Sequence, residues 1–233
     1  MFISPVQTYN PAYRGNNREV FNKSGKFLYK TTTYFFREDL NWTCLAELLG
    51  EKYKTVQKVN VLNHACSNGQ EPYTLAVKLI QILGKEAKKF FPIQAKDIDF
   101  DNIESANRGR LGIKLNEMYR INHYTKNQLT SFFTLGKPAN PNNDLVLIPK
   151  ENIKSKVNFS QADILKDTSE KLPDNTVILC RNFWPYLAPA EREQLASNLY
   201  QNIGDNSLII TGDFDYRSNT PDLLKSRGFV EIG

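Results

Sequence analysis

Glu71 follows a loop in which Ala65, Cys66 and Ser67 are small. Residues 62 to 74 read LNHACSNGQEPYT, preceded by the apolar VNVL and followed by the helical pattern LAVKLIQIL. Ala65, Cys66 and Ser67 let backbone approach a ligand closely, and Pro72 suits a helix start because its missing N–H costs nothing there. A helix N-terminus of this kind attracts anions. Glu71 places a carboxylate where a phosphate would sit, so the loop favours a ligand with cationic groups or ribose hydroxyls. The competing use of Glu71 is to complement the helix dipole, worth about 0.3–1 kcal/mol. With the single glycine Gly69 and no Gly-Lys-Ser/Thr, the loop matches neither nucleotide fingerprint.

S-Adenosylmethionine has the matching chemistry: an ammonium, a sulfonium and a ribose, with no phosphate. A second apolar run, IQAKDID, ends in acids. Asp97 sits where an α/β cofactor domain places its ribose-binding carboxylate. Asp99 and Asp101 compete for that role, with Asp101 the better cap for the next helix. Metal chemistry finds no ligand set, because His64 and His123 are the chain's two histidines and Cys44, Cys66 and Cys180 lie far apart.

The elements that must position these groups are legible from hydrophobic period. VNVLN, IQAKDID, VNFSQADIL, NTVILCRN, SLIITGD and the terminal FVEIG read as strands. A helix ends near Gly50. Others start at Pro72, cover FDNIESANRG and PAEREQLASNLYQNI, and include TPDLLKSRG. TSFFTLGKPANPNNDLVLIP reads as short antiparallel strands around a turn. Strands alternating with helices imply a mostly parallel, doubly wound sheet. Its ligand site lies beyond the strands' carboxyl ends, which singles out residues 63–71, 97–101, 163 and 181–186.

The chain has 233 residues, 40% of them hydrophobic, enough for one α/β domain with a small appendage. Residues 1–50 read as an arm and helix contributing to the site, and 51–233 as the main domain with a β insertion near 125–160. No apolar run reaches the roughly 18 residues a membrane span needs. The N-terminus lacks a signal-peptide layout, and the cysteines suit a reducing cytoplasm. Between residues 105 and 160 nine Lys/Arg face three acids, within a chain whose formal charge is +5. That face suits an acidic protein partner. It lacks the aromatic platform that nucleic-acid binding would use.

Four stretches in order then resemble the CheR family, the S-adenosylmethionine-dependent methyltransferases of bacterial chemotaxis receptors. They are TTTYFFRED (31–39), ACSNGQEPYT, AKDID and CRNFWPY (180–186). The resemblance, covering roughly residues 31 to 215, implies a Rossmann-like class I methyltransferase fold and methyl transfer to a protein glutamate. It implies cofactor contacts from Thr31, Thr33, Arg37, Glu71, Asp97, Asp163, Ile164, Asn182 and Phe183, beside the backbone approach at Ala65. Arg37 and Tyr186 would lie nearest the transferring methyl, with S-adenosylhomocysteine as product.

The sequence departs from the family at several of these points. Thr31 replaces the usual Asn, His64-Ala65 replaces Ala-Gly, Gln70 replaces the first Glu, and GDFD stands where Gly-His-Ser-Glu is usual. Most of the family's preceding helical domain finds no counterpart. A small-molecule acceptor, or a cofactor-binding interaction module with little turnover, are the competing readings. A carboxylate acceptor is already ionised near neutral pH and needs no base. A hydroxyl or amine would need one, for which His64 is the local imidazole, though His64 reads better as part of the loop's structure.

Overall fold

The computed structural model describes residues 20–21, 27–28, 33–138 and 143–231. Strands β1 (Val20–Phe21) and β2 (Phe27–Leu28) pair antiparallel. Helix α1 (Trp42–Lys52) starts at an Asn41 cap whose side chain accepts from the Thr43 and Cys44 N–H groups. There follow β3 (Asn60–His64), α2 (Gln70–Leu83), β4 (Ile93–Asp97) and α3 (Phe100–Arg108). Next come β5 (Leu111–Ile113), α4 (Leu115–Tyr124), α5 (Leu129–Phe132), β6 (Phe133–Gly136) and β7 (Leu145–Pro149). The chain continues through α6 (Glu151–Lys154), β8 (Val157–Gln161), α7 (Ile164–Asp167) and β9 (Thr176–Cys180). It ends with α8 (Pro189–Asn202), β10 (Leu208–Ile210) and α9 (Thr220–Ser226).

The central sheet has five parallel strands in the order β10-β9-β3-β4-β8. The strands β9 and β10 are continuous apolar runs buried on both faces, whereas β3 and β4 alternate between buried and half-buried residues. Val61, Ala95, Val177 and Leu179 pack toward α1 and α2, while Ile178, Cys180 and Ile209 pack toward Leu195, Leu199 and Leu224. The order reverses between β3 and β9, so the crevice at their carboxyl ends is the switch point where such sheets take ligands. The fold is the α/β, Rossmann-like one that the sequence implied.

The small antiparallel sheet is also present, in the order β5-β7-β6. It runs from Leu111 to Pro149, beginning ahead of residue 125, and β8 belongs to the main sheet. Phe133 carries it into the core, edge-on to Phe35 with ring centres 5.4 Å apart. Two local expectations change. Helix α2 begins at Gln70, capped by Gly69 in a left-handed conformation, so Pro72 lies inside the first turn. The expected FVEIG strand is absent over residues 229–231, and residues 232–233 lie outside those described.

Candidate active site

Three chain segments meet at the β3/β9 switch point, and a buried arginine joins them. Arg181 follows β9 directly, with its side chain 0% exposed. Its Nη1 donates to Glu71 Oε2 at 2.5 Å and its Nη2 to Asp39 Oδ1 at 2.5 Å. Its guanidinium lies over the Trp42 ring, 5.0 Å from the centroid. Burial alone would pull the guanidinium's pKa down; Glu71 and Asp39 outweigh it and hold the group above its ordinary value.

Each partner is fixed by its own element. Phe35 and Phe36 are fully buried, and the Phe36 N–H donates to Thr74 Oγ1 at 3.1 Å. That anchors the 33–39 segment against α2 and aims Arg37 and Asp39 at the crevice. Phe36 has φ 50°, which is rare for a bulky residue. Asp39 Oδ2 accepts from the Asn182 amide at 2.9 Å and pairs with Arg37 Nε at 3.5 Å. Glu71 Oε1 accepts from the Asn63 amide at 2.8 Å, since Asn63 and His64 point to opposite faces of β3.

The loop from Ala65 to Gly69 curls through three left-handed residues: Ala65 at φ 54°, Ser67 at 52° and Gly69 at 96°. A side chain on Gly69 would strike the Phe159 ring, 2.8 Å from an ideal Cβ. The Cys66 N–H donates to the Lys96 carbonyl at 3.0 Å, tying the loop to β4. Asp97 Oδ2 accepts from the Ser67 N–H at 2.7 Å, and Oδ1 accepts from the Asp99 N–H at 2.9 Å. Burial raises the Asp97 pKa, against the lowering effect of these N–H donors.

The sequence-selected residues therefore take definite places. Arg37, Glu71 and Asn182 join one network through Arg181 and Asp39. Ala65 belongs to the loop beside it, and Asp97, at the end of β4, holds that loop. Asp163 caps α7 through the Leu165 N–H at 3.0 Å, and Ile164 is buried behind it. Phe183 packs against Trp184, whose ring is wholly buried core. Tyr186 lies at the rim, 42% exposed, its ring 5.3 Å from Phe214. Thr33 starts the described segment, and Thr31 lies outside the described residues.

Asp99, not Asp101, caps α3, accepting from the Asp101 N–H. His64 turns away from the crevice, buried with its Nε2 3.5 Å from Asp167 Oδ2. Burial drives its pKa down to about 4 despite that carboxylate, so the ring is neutral near pH 7. That removes it as a base for the crevice. Sequence reasoning assigned no role to Arg181. The available signal was a charge immediately after the fully buried TVILC, which demands a buried counter-charge.

A groove of about 440 Å³ lies elsewhere, on the sheet face lined by Asn60, Leu62, Gln94, Lys96 and Asp167. It opens because α7 is a single turn and leaves the β3/β4 surface bare. It does not reach the crevice loop.

The crevice donor set fits a cation bearing hydroxyls. Asp97 retains acceptor capacity beyond the three hydrogen bonds it accepts, Glu71 and Asp213 add carboxylates, and Arg37 and Arg181 are paired internally. A parallel sheet with this switch-point loop is the architecture of a nucleoside-cofactor-binding domain. The chain belongs to the CheR methyltransferase family, whose SAM-binding domain matches residues 31–229.

It is similar to chemotaxis protein methyltransferase 2 of Vibrio cholerae, 22% identical over 201 residues, covering 84% of this chain and 66% of that protein. It is also similar to the chemotaxis protein methyltransferase of Salmonella typhimurium, 26% identical over 196 residues, covering 84% and 64%. The chain thus spans about two thirds of the length of these relatives. A solved TehB-like SAM-dependent methyltransferase from Corynebacterium glutamicum superposes with a TM-score of 0.38 at 14% identity, covering 80% of this chain and 78% of that one.

Proposed function

We propose that the chain is an S-adenosylmethionine-dependent methyltransferase and that its acceptor is a carboxylate, that of a protein glutamate. The observation carrying this reading is the convergence of Glu71, Asp39 and Arg181 at the switch point, beside the Asp97-anchored loop. When bound, the cofactor supplies an activated methyl on a sulfonium leaving group. The protein's part is to place the acceptor oxygen in line and exclude water, a proximity effect worth up to roughly 7–11 kcal/mol.

Each selected residue has a task in that placement. Glu71 faces the cofactor's ammonium and Asp97 its ribose hydroxyls. The backbone at Asp163 and Ile164 serves the adenine edge. Arg37 grips a carboxylate from the rim, with Thr33, Asn182 and Phe183 shaping the pocket and Tyr186 guiding the nucleophile. Because the acceptor arrives ionised, no residue need take its proton. Of the nine cations between 105 and 160, Arg108, Arg110, Lys114, Lys126, Lys137, Lys150 and Lys154 are exposed, which suits docking by an acidic protein surface.

One observation favours a second reading. Asp213 is exposed at the rim, its N–H 3.4 Å from Asp39 Oδ2, and partial burial followed by the Asp39 charge raises its pKa. A carboxylate so placed can accept a proton from a hydroxyl or amine acceptor. Transfer of labelled methyl from S-adenosylmethionine to candidate proteins tests both readings. Release of the label by mild alkali identifies an ester. A label that resists alkali identifies an ether or amine and overturns the carboxylate reading.

A further inference from the structure

We propose that Arg181 is a positioning residue that fixes the Glu71 carboxylate for the ammonium end of the cofactor. The inference rests on the cofactor reading above and adds to it a group that touches no ligand.

The geometry is that of a fork between two acids. Arg181 is fully buried, and each terminal nitrogen meets a different carboxylate: Glu71 on α2 and Asp39 on the 33–39 segment. The Trp42 ring closes the guanidinium's face. Asn63 on β3 holds the other Glu71 oxygen. Glu71 is thus oriented by donors from two adjacent strands, β3 and β9, that flank the switch point. The three-residue cluster formally holds two negative charges and one positive. Arg37, pairing with Asp39 from the rim, offsets that surplus, and the rim carboxylate of Asp213 beside the cluster leaves the site formally negative and suited to a cation.

A lysine cannot replace this fork. Its ammonium is a point charge on one nitrogen, whereas the planar guanidinium spans two acceptors at once. Breaking one arm of a buried ion pair leaves an unpaired buried charge and destabilises the fold as well. The positioning role is therefore read from selectivity between ligands, not from stability.

Calorimetry on wild type, Arg181→Lys and Asp39→Asn, with two ligands, tests the assignment. S-Adenosylhomocysteine carries the amino-acid end, and 5′-methylthioadenosine lacks it. Arg181→Lys raises the Kd for S-adenosylhomocysteine roughly tenfold to hundredfold, the range of a charge-assisted hydrogen bond, and shifts methylthioadenosine less than roughly threefold. Asp39→Asn shows the same selectivity with a smaller effect, and supplies the reading if Arg181→Lys does not fold. In a double-mutant cycle, Glu71→Gln with Arg181→Lys loses no more than Glu71→Gln alone. Equal weakening of both ligands, or additive losses in the cycle, overturns the positioning role. Wild type that binds both ligands with variants unchanged overturns it too, leaving the cofactor reading intact. Wild type that binds neither ligand overturns the cofactor reading and this inference together.

Discussion

Asp97 and Ser67 are joined by a 2.7 Å hydrogen bond from the Ser67 backbone N–H to the Asp97 carboxylate. The acid at the end of β4 thereby holds the loop that follows β3. Asp97→Ala removes this bond and those from the Asp99 N–H and the Asn102 amide, leaving buried donors without a partner. Stability falls by about 1–3 kcal/mol. Under the proposed function, calorimetry also finds S-adenosylhomocysteine affinity weakened. Unchanged affinity in both Asp97→Ala and Arg37→Ala contradicts the site assignment.

Ala65 is exposed and held at φ 54°, a conformation that glycine adopts without strain. Ala65→Gly therefore raises stability by about 0.5–1 kcal/mol, relief of the left-handed penalty outweighing glycine's added chain entropy. A urea midpoint that rises with unchanged slope is the expected result.

His64 and Asp215 give folding stability opposite pH slopes. The folded pKa of His64 is lowered to about 4 from 6.5, by burial first and Lys96 second, with Asp167 and Asp163 acting the other way. The unfolded chain takes up that proton first, so stability falls as pH drops from about 6.5 toward 4. Asp215 is buried, accepting from the Gly212, Asn182 and Trp184 N–H groups. Burial raises its pKa from 3.8 to about 6, with those donors and Arg181 opposing. The folded chain keeps that proton longer, so stability falls as pH rises from about 4 to 6. Each effect is on the order of 3 kcal/mol, and over the shared window they offset. His64→Asn exposes the Asp215 slope: relative to wild type, the variant gains stability as pH falls from 6.5 to 4. Urea titrations at pH 4.5, 5.5 and 7 read the difference, and a constant difference excludes His64 as its source.

Lys150, Lys154 and Lys156 lie on the basic stretch proposed to dock an acidic partner. Converting all three to Glu reverses local charge without touching the crevice. Binding to an acidic protein partner then weakens, and wild-type binding falls as salt rises from 0.05 to roughly 0.5 M, where screening is nearly complete. Affinity indifferent to both changes rules the docking face out.

Side-chain period and residue type determined most of the architecture. All five main-sheet strands were legible: β9 and β10 as short apolar runs buried on both faces, β3 and β4 by alternation of apolar and polar residues, and the loop's small residues mark the turn onto α2. β5 escaped because its three residues, Leu111 to Ile113, are too short for any period. The terminal FVEIG is also short, and its described residues 229–231 form no strand. The cap of α3 was expected at Asp101 and falls at Asp99, because either acid fits a helix start and only the backbone geometry selects one.

Tertiary structure alone decided the charges. From the sequence, Glu71 was an acid beside a helix end, Asp39 a neighbour of Arg37, and Arg181 a residue after a strand. Their separations of 110 and 142 residues carry no local signal. The strand order places β9 beside β3, and a guanidinium buried there must gather counter-charges from whatever elements the fold brings within reach. Local pattern fixes where a charge sits along the chain; desolvation and topology fix what it pairs with.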